Sequence, residues 1–325
     1  MINKYMDYSV VIRTLGTAGE YYQRTLDSIK LQTIQPSAVL VYISKGYAIP
    51  KETIGIEQYI YVKKGMVAQR ALAYDEVRTE YCLFLDDDVY LPTDAVEKMY
   101  NEMRQHNAQV ISPCTFDNHK ASIKSKFIRA LTGKEVCRFG DSKWAFKVLR
   151  TAGFSYNNNP TRPVYESQSN AGPCFFCRKE DFLRISFQDE LWLDAAPYAL
   201  PEDQVMYYKM YKKGLKVLTS FDIGIVHLDA GSTMGQNRER ALKLIFSEYR
   251  NKLIFWHRFI FLPEKSPIVK LWSIVAILYA YSFQATKHLM FYLLGKKDKG
   301  KAFYGGFMSG VNFIMSEEYK RLPRI

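Results

Sequence analysis

Three consecutive acidic residues, Asp86, Asp87 and Asp88, directly follow the apolar run Tyr81–Leu85. Adjacent carboxylates repel each other and are costly to desolvate, and a divalent cation removes both problems. Oxygen ligands of this kind suit Mg²⁺ or Mn²⁺, especially when phosphate oxygens complete the coordination shell. The stretch is therefore a candidate site for a metal and a phosphorylated ligand. The alternative is a short acidic loop after a buried strand.

Two further candidates lie in the second half of the chain. Glu202 and Asp203 follow Pro201 at the predicted start of a helix, where proline is favoured and the helix dipole stabilises carboxylates. They are either a helix cap or a functional acidic pair. His227 ends the strand-like run Ile223–His227 and is either structural or a ligand.

Strand and helix patterns alternate over the first 112 residues, which predicts a Rossmann-like βαβ sheet. The strand runs are too uniformly apolar for a half-exposed sheet and fit the core of a parallel one. Ligands of such sheets bind at the carboxyl ends of the strands, where the three acids lie. The predicted strands are Tyr8–Thr14, Ala38–Ser44, Gln58–Val62 and the acid-tipped run, and the predicted helices are Glu20–Gln32, Met66–Arg78 and one ending near His106.

The remainder divides into two parts. Residues 113–228 form a second half in which the polar, basic and Asn-rich text of residues 116–166 predicts a long functional loop. Residues 229–325 form a C-terminal helical region with apolar runs at Leu271–Phe283 and Leu289–Leu294, followed by lysines. The first run is shorter than the roughly 20 residues of a spanning helix, so we expect a helix lying in the membrane interface. A span made from both runs and a hairpin packed on the core are the alternatives.

The composition of the chain excludes some classes of protein and favours others. The chain has 325 residues, 48% of them apolar, which excludes a disordered chain. Its net charge of +12 favours anionic partners: phosphorylated substrates, anionic lipid or nucleic acid. Five scattered cysteines suit a reducing compartment, and Cys174 and Cys177 are predicted to be structural. Residues Met1–Asp7 lack the apolar core of a signal peptide, so we expect a cytosolic start.

Several separate stretches of the chain form an ordered set of motifs. They are Val10–Gly16, Gly65–Ala71, Phe84–Asp88, Asn170–Arg178, Phe187–Glu190, Glu202-Asp203 and Tyr249–Asn251. Taken in order, these motifs resemble those of family 2 glycosyltransferases of the GT-A fold. Ser44–Gly46 departs from that pattern, because many members have DDGS at this position. The resemblance implies an α/β fold: a GT-A, Rossmann-like nucleotide-binding sheet with helices on both faces, plus the C-terminal membrane-associating helices.

The resemblance also implies an inverting transfer of a sugar from a nucleotide-diphosphate sugar to a hydroxyl acceptor. Asp203 is expected to be the general base, supported by Glu202. Mn²⁺ or Mg²⁺ is expected at Asp86, Asp88 and His227. The expected nucleotide-binding residues are Arg13, Thr14, Gly65, Arg70, Asp86 and Asp87.

The implied setting is bacterial envelope polysaccharide or glycolipid synthesis, with a glycan or lipid-linked acceptor. We expect a cytoplasmic enzyme, peripheral on the inner face of the cytoplasmic membrane, with no nucleic-acid partner. One rival is a sugar-nucleotide nucleotidyltransferase, for which Leu15–Gly19 is a thin version of the phosphate loop. Another is a non-catalytic basic protein that binds membranes or nucleic acid, which leaves the acidic triplet unexplained.

Overall fold

The computed structural model describes residues 6–116, 121–140, 142–229 and 237–325. Most of the sequence expectation for Met1–Asp7 therefore lies outside the described residues. The strands are β1 (Tyr8–Thr14), β2 (Ala38–Ser44), β3 (Glu57–Val62), β4 (Tyr81–Asp86), β5 (Val89–Tyr90), β6 (Val110–Pro113), β7 (Glu135–Arg138), β8 (Phe146–Val148), β9 (Phe154–Asn157), β10 (Val164–Glu166), β11 (Cys174–Arg178), β12 (Val217–Ser220) and β13 (Val226–His227).

The helices surround the sheet and continue to the C-terminal end of the described chain. They are α1 (Glu20–Lys30), α2 (Ala95–Gln105), α3 (Ile123–Leu131), α4 (Lys179–Arg184), α5 (Glu202–Lys212), α6 (Arg238–Phe255), α7 (Pro267–Leu293), α8 (Lys297–Met315) and α9 (Glu317–Arg321). A 3₁₀ helix spans Phe187–Ala195, and a π-helical segment, Trp256–Phe261, follows α6.

An eight-stranded sheet in the order β10-β12-β6-β11-β4-β1-β2-β3 forms the centre of the molecule. Strands β1, β2, β3 and β4 run parallel, as do β6 and β12, whereas β11 is antiparallel between β4 and β6. The predicted α/β fold class is confirmed. The antiparallel β11 was not predicted, because an apolar strand run does not record its direction.

Both faces of the sheet are buried, which explains the unbroken apolar runs. Val10 of β1 packs in the hydrophobic core on one face, and Val11 packs in the core on the other. Cys174 and Cys177 of β11 likewise point to opposite cores as buried, unpaired thiols. The sheet takes strands from both predicted halves, so residues 1–112 and 113–228 share one core.

The helix predicted at Met66–Arg78 is wrong. The chain makes a short turn from Gly65 to Ala71 and then irregular structure up to β4. Tyr74 lies in the left-handed region at φ 54°, and its ring packs edge-on against Tyr42 and Phe84. This packing ends the helical pattern, because tertiary contacts override a weak local propensity.

The long loop predicted for residues 116–166 is wrong in its described part. These residues contain α3 and a small three-stranded sheet in the order β7-β9-β8, closed over an aromatic core that includes Phe146 and Tyr156. Strands of three or four residues are too short to show a period in the sequence. Residues 117–120 and 141 of the predicted loop lie outside the described residues.

The C-terminal region forms a helical layer on one face of the sheet. α8 crosses α6 closely, because a Cβ atom on Gly306 would lie only 2.3 Å from the carbonyl oxygen of Phe246. α7 and α8 form a hairpin in which Tyr281 packs against Phe307. By length and composition alone, α7 is the one described helix that could cross a membrane.

Candidate active site

The register of the parallel strands builds the site. Arg13, near the end of β1, lies directly opposite Asp86, the last residue of β4. The side chain of Asp86 accepts two hydrogen bonds from the Arg13 guanidinium, at 2.5 Å (Nε–Oδ1) and 3.1 Å (Nη2–Oδ2). Burial opposes ionisation of Asp86, but the charge of Arg13 outweighs it and lowers the pKa of this carboxyl. Asp86 is therefore an ionised group that already has a cationic partner.

Arg13 also reaches the start of α5. Its Nη1 donates to Glu202 Oε1 at 2.9 Å. The carboxylate of Glu202 is almost fully buried, and this burial raises its pKa despite the nearby Arg13 and Arg70. Its second oxygen has no hydrogen-bond partner within the described residues. Glu202 is thus held by arginines and has unused hydrogen-bonding capacity.

Arg70 fixes the position of Asp203. Its Nη1 donates to Asp203 Oδ1 at 2.8 Å, and its Nη2 donates to the carbonyl oxygen of Gly172 at 2.9 Å. Arg70 is only 3% exposed. A Cβ atom on Gly172 would lie 2.0 Å from Asp203 Oδ1, so only glycine leaves room for this carboxylate. The arginine and the glycine together orient Asp203 and keep a cation beside it.

Asp87 pairs with the end of β1. Thr14 Oγ1 donates to Asp87 Oδ2 at 2.5 Å and accepts a hydrogen bond from the backbone N–H of Gly16. Burial is the main cause that raises the pKa of Asp87 to about 6, and the neighbouring Asp86 and Asp88 add to it. Asp87 is therefore less acidic than an ordinary aspartate.

Asp88 pairs with His227 across two short strands. β13 runs antiparallel to β5, and this register sets His227 opposite Val89. Its Nε2 lies 3.0 Å from Asp88 Oδ2. The hydrogen bond to Asp88 raises the pKa of His227, although burial acts in the opposite direction. The histidine predicted at a strand end thus meets the third acid of the triplet.

A cleft of about 790 Å³ opens at this edge of the sheet. Asp194–Ala199 contributes lining residues from the segment before α5. The predicted site residues that line the cleft are Arg13, Thr14, Gly65, Asp86, Asp87, Asp88 and His227. Arg70, Glu202 and Asp203 are not among the described lining residues. Ion pairs connect them to Asp86, which does line the cleft, through Arg13 and Arg70.

Sequence reasoning missed Asp194. Its carboxylate accepts hydrogen bonds from the backbone N–H groups of Val67 and Ala68, at 3.0 and 2.8 Å. It therefore caps the turn that carries Gly65 and Arg70 into the site. The sequence held no signal for this contact, because Asp194 is more than a hundred residues away from the turn.

The residues fit a metal only in part. Asp88 and His227 offer an adjacent oxygen and nitrogen ligand, whereas both oxygens of Asp86 are bound by Arg13. Within the described ranges, no three His, Cys, Asp or Glu side chains form a metal-binding group. A cation here would thus need oxygens from a bound phosphate, as is usual for Mg²⁺.

One known family matches part of the chain. The model for "Glycosyl transferase family 2" matches residues 58–157, which include the turn at Gly65 and the acidic triplet. Residues 58–157, about a third of the chain, are thus similar to glycosyl transferase family 2. This confirms the resemblance of the sequence motifs to that family. No curated protein matches the chain significantly.

Solved structures with a similar fold match most of this chain. It is similar to the crystal structure of S. aureus TarS residues 1–349, with a TM-score of 0.54 and 15% identity over 94% of this chain and 81% of that one. The same TarS fragment in complex with UDP-GlcNAc gives a TM-score of 0.51 and 15% identity over 94% and 82% of the two chains. At this identity the likeness shows the GT-A fold alone.

Proposed function

We propose that this protein is an inverting glycosyltransferase that moves a sugar from a nucleotide-diphosphate sugar to an acceptor hydroxyl. One observation carries the proposal: a single cleft at the carboxyl edge of the sheet is lined by the acidic triplet, Arg13 and His227. Arg70 links Asp203 to the same edge. Ligands of open α/β sheets bind at this edge.

The nucleotide is assigned to the β1 side of the cleft. Asp87 can accept hydrogen bonds from ribose hydroxyls, and Thr14 orients its carboxylate. Arg13 lines the cleft and can meet a phosphate there. Arg70 is buried against Asp203 and Gly172, so we assign it to positioning the base rather than to nucleotide contact.

Asp88 and His227 are the residues that would hold Mn²⁺ or Mg²⁺. When bound, the cation neutralises the charge that grows on the departing diphosphate. Asp86 can join as a ligand only if it gives up its hydrogen bonds with Arg13. The dependence of activity on each metal therefore belongs to the test of the proposal.

Asp203 is the proposed general base. It accepts the proton of the acceptor hydroxyl as the oxygen attacks the anomeric carbon opposite the diphosphate, which inverts the configuration. Arg70 Nη1 lies 2.8 Å from Asp203 Oδ1 and holds this carboxylate in a fixed position for the step. Glu202 contacts Arg13 and Arg70, and in this way it supports the base without touching substrate.

The acceptor is proposed to be a glycan or a lipid-linked molecule at a membrane surface. α7 supports this, because one side of it exposes large apolar side chains along most of its length. Contiguous apolar surface of this kind marks a contact with a partner or a membrane. We therefore place the enzyme on the cytoplasmic face of the membrane, with α7 in the interface.

A panel of nucleotide sugars tests the proposal. UDP-GlcNAc comes first, because the TarS structure of similar fold contains it. Each donor is incubated with the protein with and without Mn²⁺ or Mg²⁺, and release of the nucleoside diphosphate is measured. Hydrolysis of one donor is the expected result. Failure of every donor, or pyrophosphate release from a sugar phosphate and a nucleoside triphosphate, would overturn it, and the latter would favour a nucleotidyltransferase.

A further inference from the structure

Helix α3 belongs to the segment of residues 116–166, which we call the insertion, and it presents apolar side chains to solvent. None of its residues is buried, and Ile123 and Phe127 are 87% and 63% exposed. They lie four residues apart, so they share one face of the helix. Leu131 continues this face towards α7. A short surface helix with such a face is unusual in a soluble monomer and indicates a contact surface.

The insertion is attached to α7. Tyr279 Oη donates to the carbonyl oxygen of Leu131 at 2.6 Å, at the C-terminal end of α3. A second contact joins Arg150 Nη1 to Ser273 Oγ at 2.9 Å. On the same half of α7, Leu271 and Trp272 are exposed. The exposed apolar residues of α3 and α7 thus belong to elements that touch each other.

The charges around these two helices identify the partner. α3 and α7 contain no Asp or Glu, and their charged residues are Lys124, Lys126, Arg129, Lys270 and Lys287. Arg129 pairs with Glu135 at 2.6 Å, and the other charges that the two helices contribute are also basic. Apolar faces on helices whose own charges are all positive complement an anionic bilayer, in which lysine meets the headgroups and aromatic rings enter the interface. A second copy of the chain would bring the same positive charges to the contact, and like charges oppose each other.

α3 also borders a second cleft. Lys126 Nζ donates to Asn158 Oδ1 at 3.0 Å, and Asn158 lines a cleft of about 870 Å³ near the ends of β6 and β12. His227 lines both this cleft and the one that contains the acidic triplet. The exposed helix therefore lies beside a cavity that adjoins the candidate active site.

We infer that α3 and α7 together form one surface that binds anionic lipid, which we call the lipid platform (residues 123–131 and 267–293). The insertion is then a second membrane contact, and it holds the second cleft at the bilayer surface. A lipid-linked acceptor could enter there; this last step rests on the proposed transfer reaction. The lipid contact itself does not depend on that reaction.

Vesicle sedimentation with the full chain tests the platform. Sucrose-loaded vesicles of phosphatidylcholine are compared with vesicles containing one quarter phosphatidylglycerol. The test variant is Ile123→Ser/Phe127→Ser. The matched control is Leu31→Ser, which removes a 61% exposed side chain at the end of α1. We expect the native chain and the control to bind the anionic vesicles. The test variant should bind them at least about tenfold more weakly.

Amide hydrogen exchange gives a direct readout on α3. Residues 123–131 are expected to exchange more slowly when the anionic vesicles are added. Native-like vesicle binding by the α3 variant, with loss only in Leu271→Ser/Trp272→Ser, would remove α3 from the platform. Self-association in sedimentation equilibrium that the α3 variant abolishes would show that a second copy covers the surface, which also overturns the inference.

Donor hydrolysis separates this inference from the proposed function. An α3 variant that loses vesicle binding but hydrolyses donor at the native rate supports the platform and leaves the reaction intact. If the native chain hydrolyses no donor yet binds anionic vesicles through α3, the transfer proposal fails and the platform stands. A native chain that does not bind the vesicles overturns the platform, whatever its activity.

Discussion

Two clusters of charged residues lie at opposite ends of α5, and they differ in net charge and in access to solvent. The edge cluster consists of Arg13, Arg70, Asp86, Glu202 and Asp203 and adjoins the cleft. The buried cluster consists of Asp189, Glu190, Lys209 and Arg258. Ion pairs alone therefore do not distinguish a reactive site from a structural one in this protein.

The buried cluster is neutral overall and its hydrogen bonds are satisfied. Glu190 accepts from Lys209 Nζ at 2.8 Å, from Arg258 Nε and Nη2 at 2.9 Å each, and from the Trp192 indole at 2.7 Å. These residues lie on the 3₁₀ helix, α5 and the π-helical segment, so the cluster joins three elements. With no capacity left for a ligand, its role is to hold α5 in place.

The edge cluster has an excess of acid. Three carboxylates share two arginines, and one oxygen of Glu202 lacks a partner within the described residues. Asp203 remains about one third exposed, so a substrate can approach it. The contrast teaches that the unbalanced, accessible cluster is suited to chemistry, whereas the balanced, dry one stabilises the fold.

The largest effect is expected from Asp203→Asn. Loss of a general base reduces the transfer rate by about 10²–10⁴-fold. The free energy of unfolding should hardly change, since Arg70 keeps Glu202 and Asp86 as partners. The rate is measured with the donor found in the panel, and binding of the nucleoside diphosphate is measured by calorimetry with Mn²⁺. Native binding with lost transfer is the expected pair of results, and lost binding would reject Asp203 as the base.

Glu190→Gln should show the opposite behaviour. It leaves two buried cations with too little negative charge, which costs about 3–5 kcal/mol in the free energy of unfolding. Urea denaturation measures this loss. The folded fraction should keep near-native activity per molecule, because Glu190 does not line the cleft.

The pH dependence checks the assignment of Glu190. Burial opposes its ionisation, but the hydrogen bond from Arg258 and the charge of Lys209 lower its pKa below the ordinary 4.5. The contribution of Glu190 to the free energy of unfolding is therefore complete above pH 4.5 and decreases as the pH falls through the folded-state pKa. The difference in the free energy of unfolding between the native chain and Glu190→Gln should thus become smaller in acid. Glu239→Gln, at an exposed pair with Lys243, is the control and should not change stability measurably. A similar loss in the control would contradict the comparison.

Asp87→Asn should stabilise the protein while weakening nucleotide binding. The pKa of Asp87 is raised to about 6 in the fold, so its favourable contribution is complete below about pH 3.8 and is lost as the pH rises through 6. Asparagine does not ionise. Because water screens part of this cost, we expect a gain of about 2 kcal/mol at pH 8, vanishing near pH 4.

Thermal unfolding between pH 4 and pH 8 measures this gain. Thr14→Val serves as the companion variant, since it removes the hydrogen bond to Asp87 and keeps the acid. It should destabilise the protein rather than stabilise it. Equal stability of the native and Asp87→Asn proteins across the pH range would show that ionisation of Asp87 does not destabilise the ligand-free protein.

The sequence predicted the parts of the fold whose pattern is local. β1, β2 and β4 were found because burial on both faces gives unbroken apolar runs, and the acidic triplet was found because it ends one of them. The helix predicted at Met66–Arg78 failed for a tertiary reason, since Asp194 and the packing of Tyr74 shape that segment. Contacts between distant residues leave no trace in local periodicity.

In the candidate site too, the features set by local patterns could be predicted and the contacts between distant residues could not. Parallel strand ends bring Arg13, Thr14 and the acids to one edge, so their proximity could be predicted. The pairing of Arg70 with Asp203 could not, because 133 residues separate them. The roles of these residues stay predictions until the variants are measured.

Arg13→Lys is expected to have the smallest effect and gives the finest test of the edge cluster. Lysine keeps the positive charge but lacks the planar fork that binds Asp86 and Glu202 together. We expect about a tenfold loss in kcat/KM, equivalent to about 1.4 kcal/mol, with little change in unfolding. Arg184→Lys, at an exposed arginine that pairs with Asp181 away from the cleft, is the control and should leave kcat/KM unchanged. If Arg13→Lys instead unfolds the protein without altering the activity of the folded fraction, Arg13 acts as Glu190 does, and the edge cluster is as structural as the buried one.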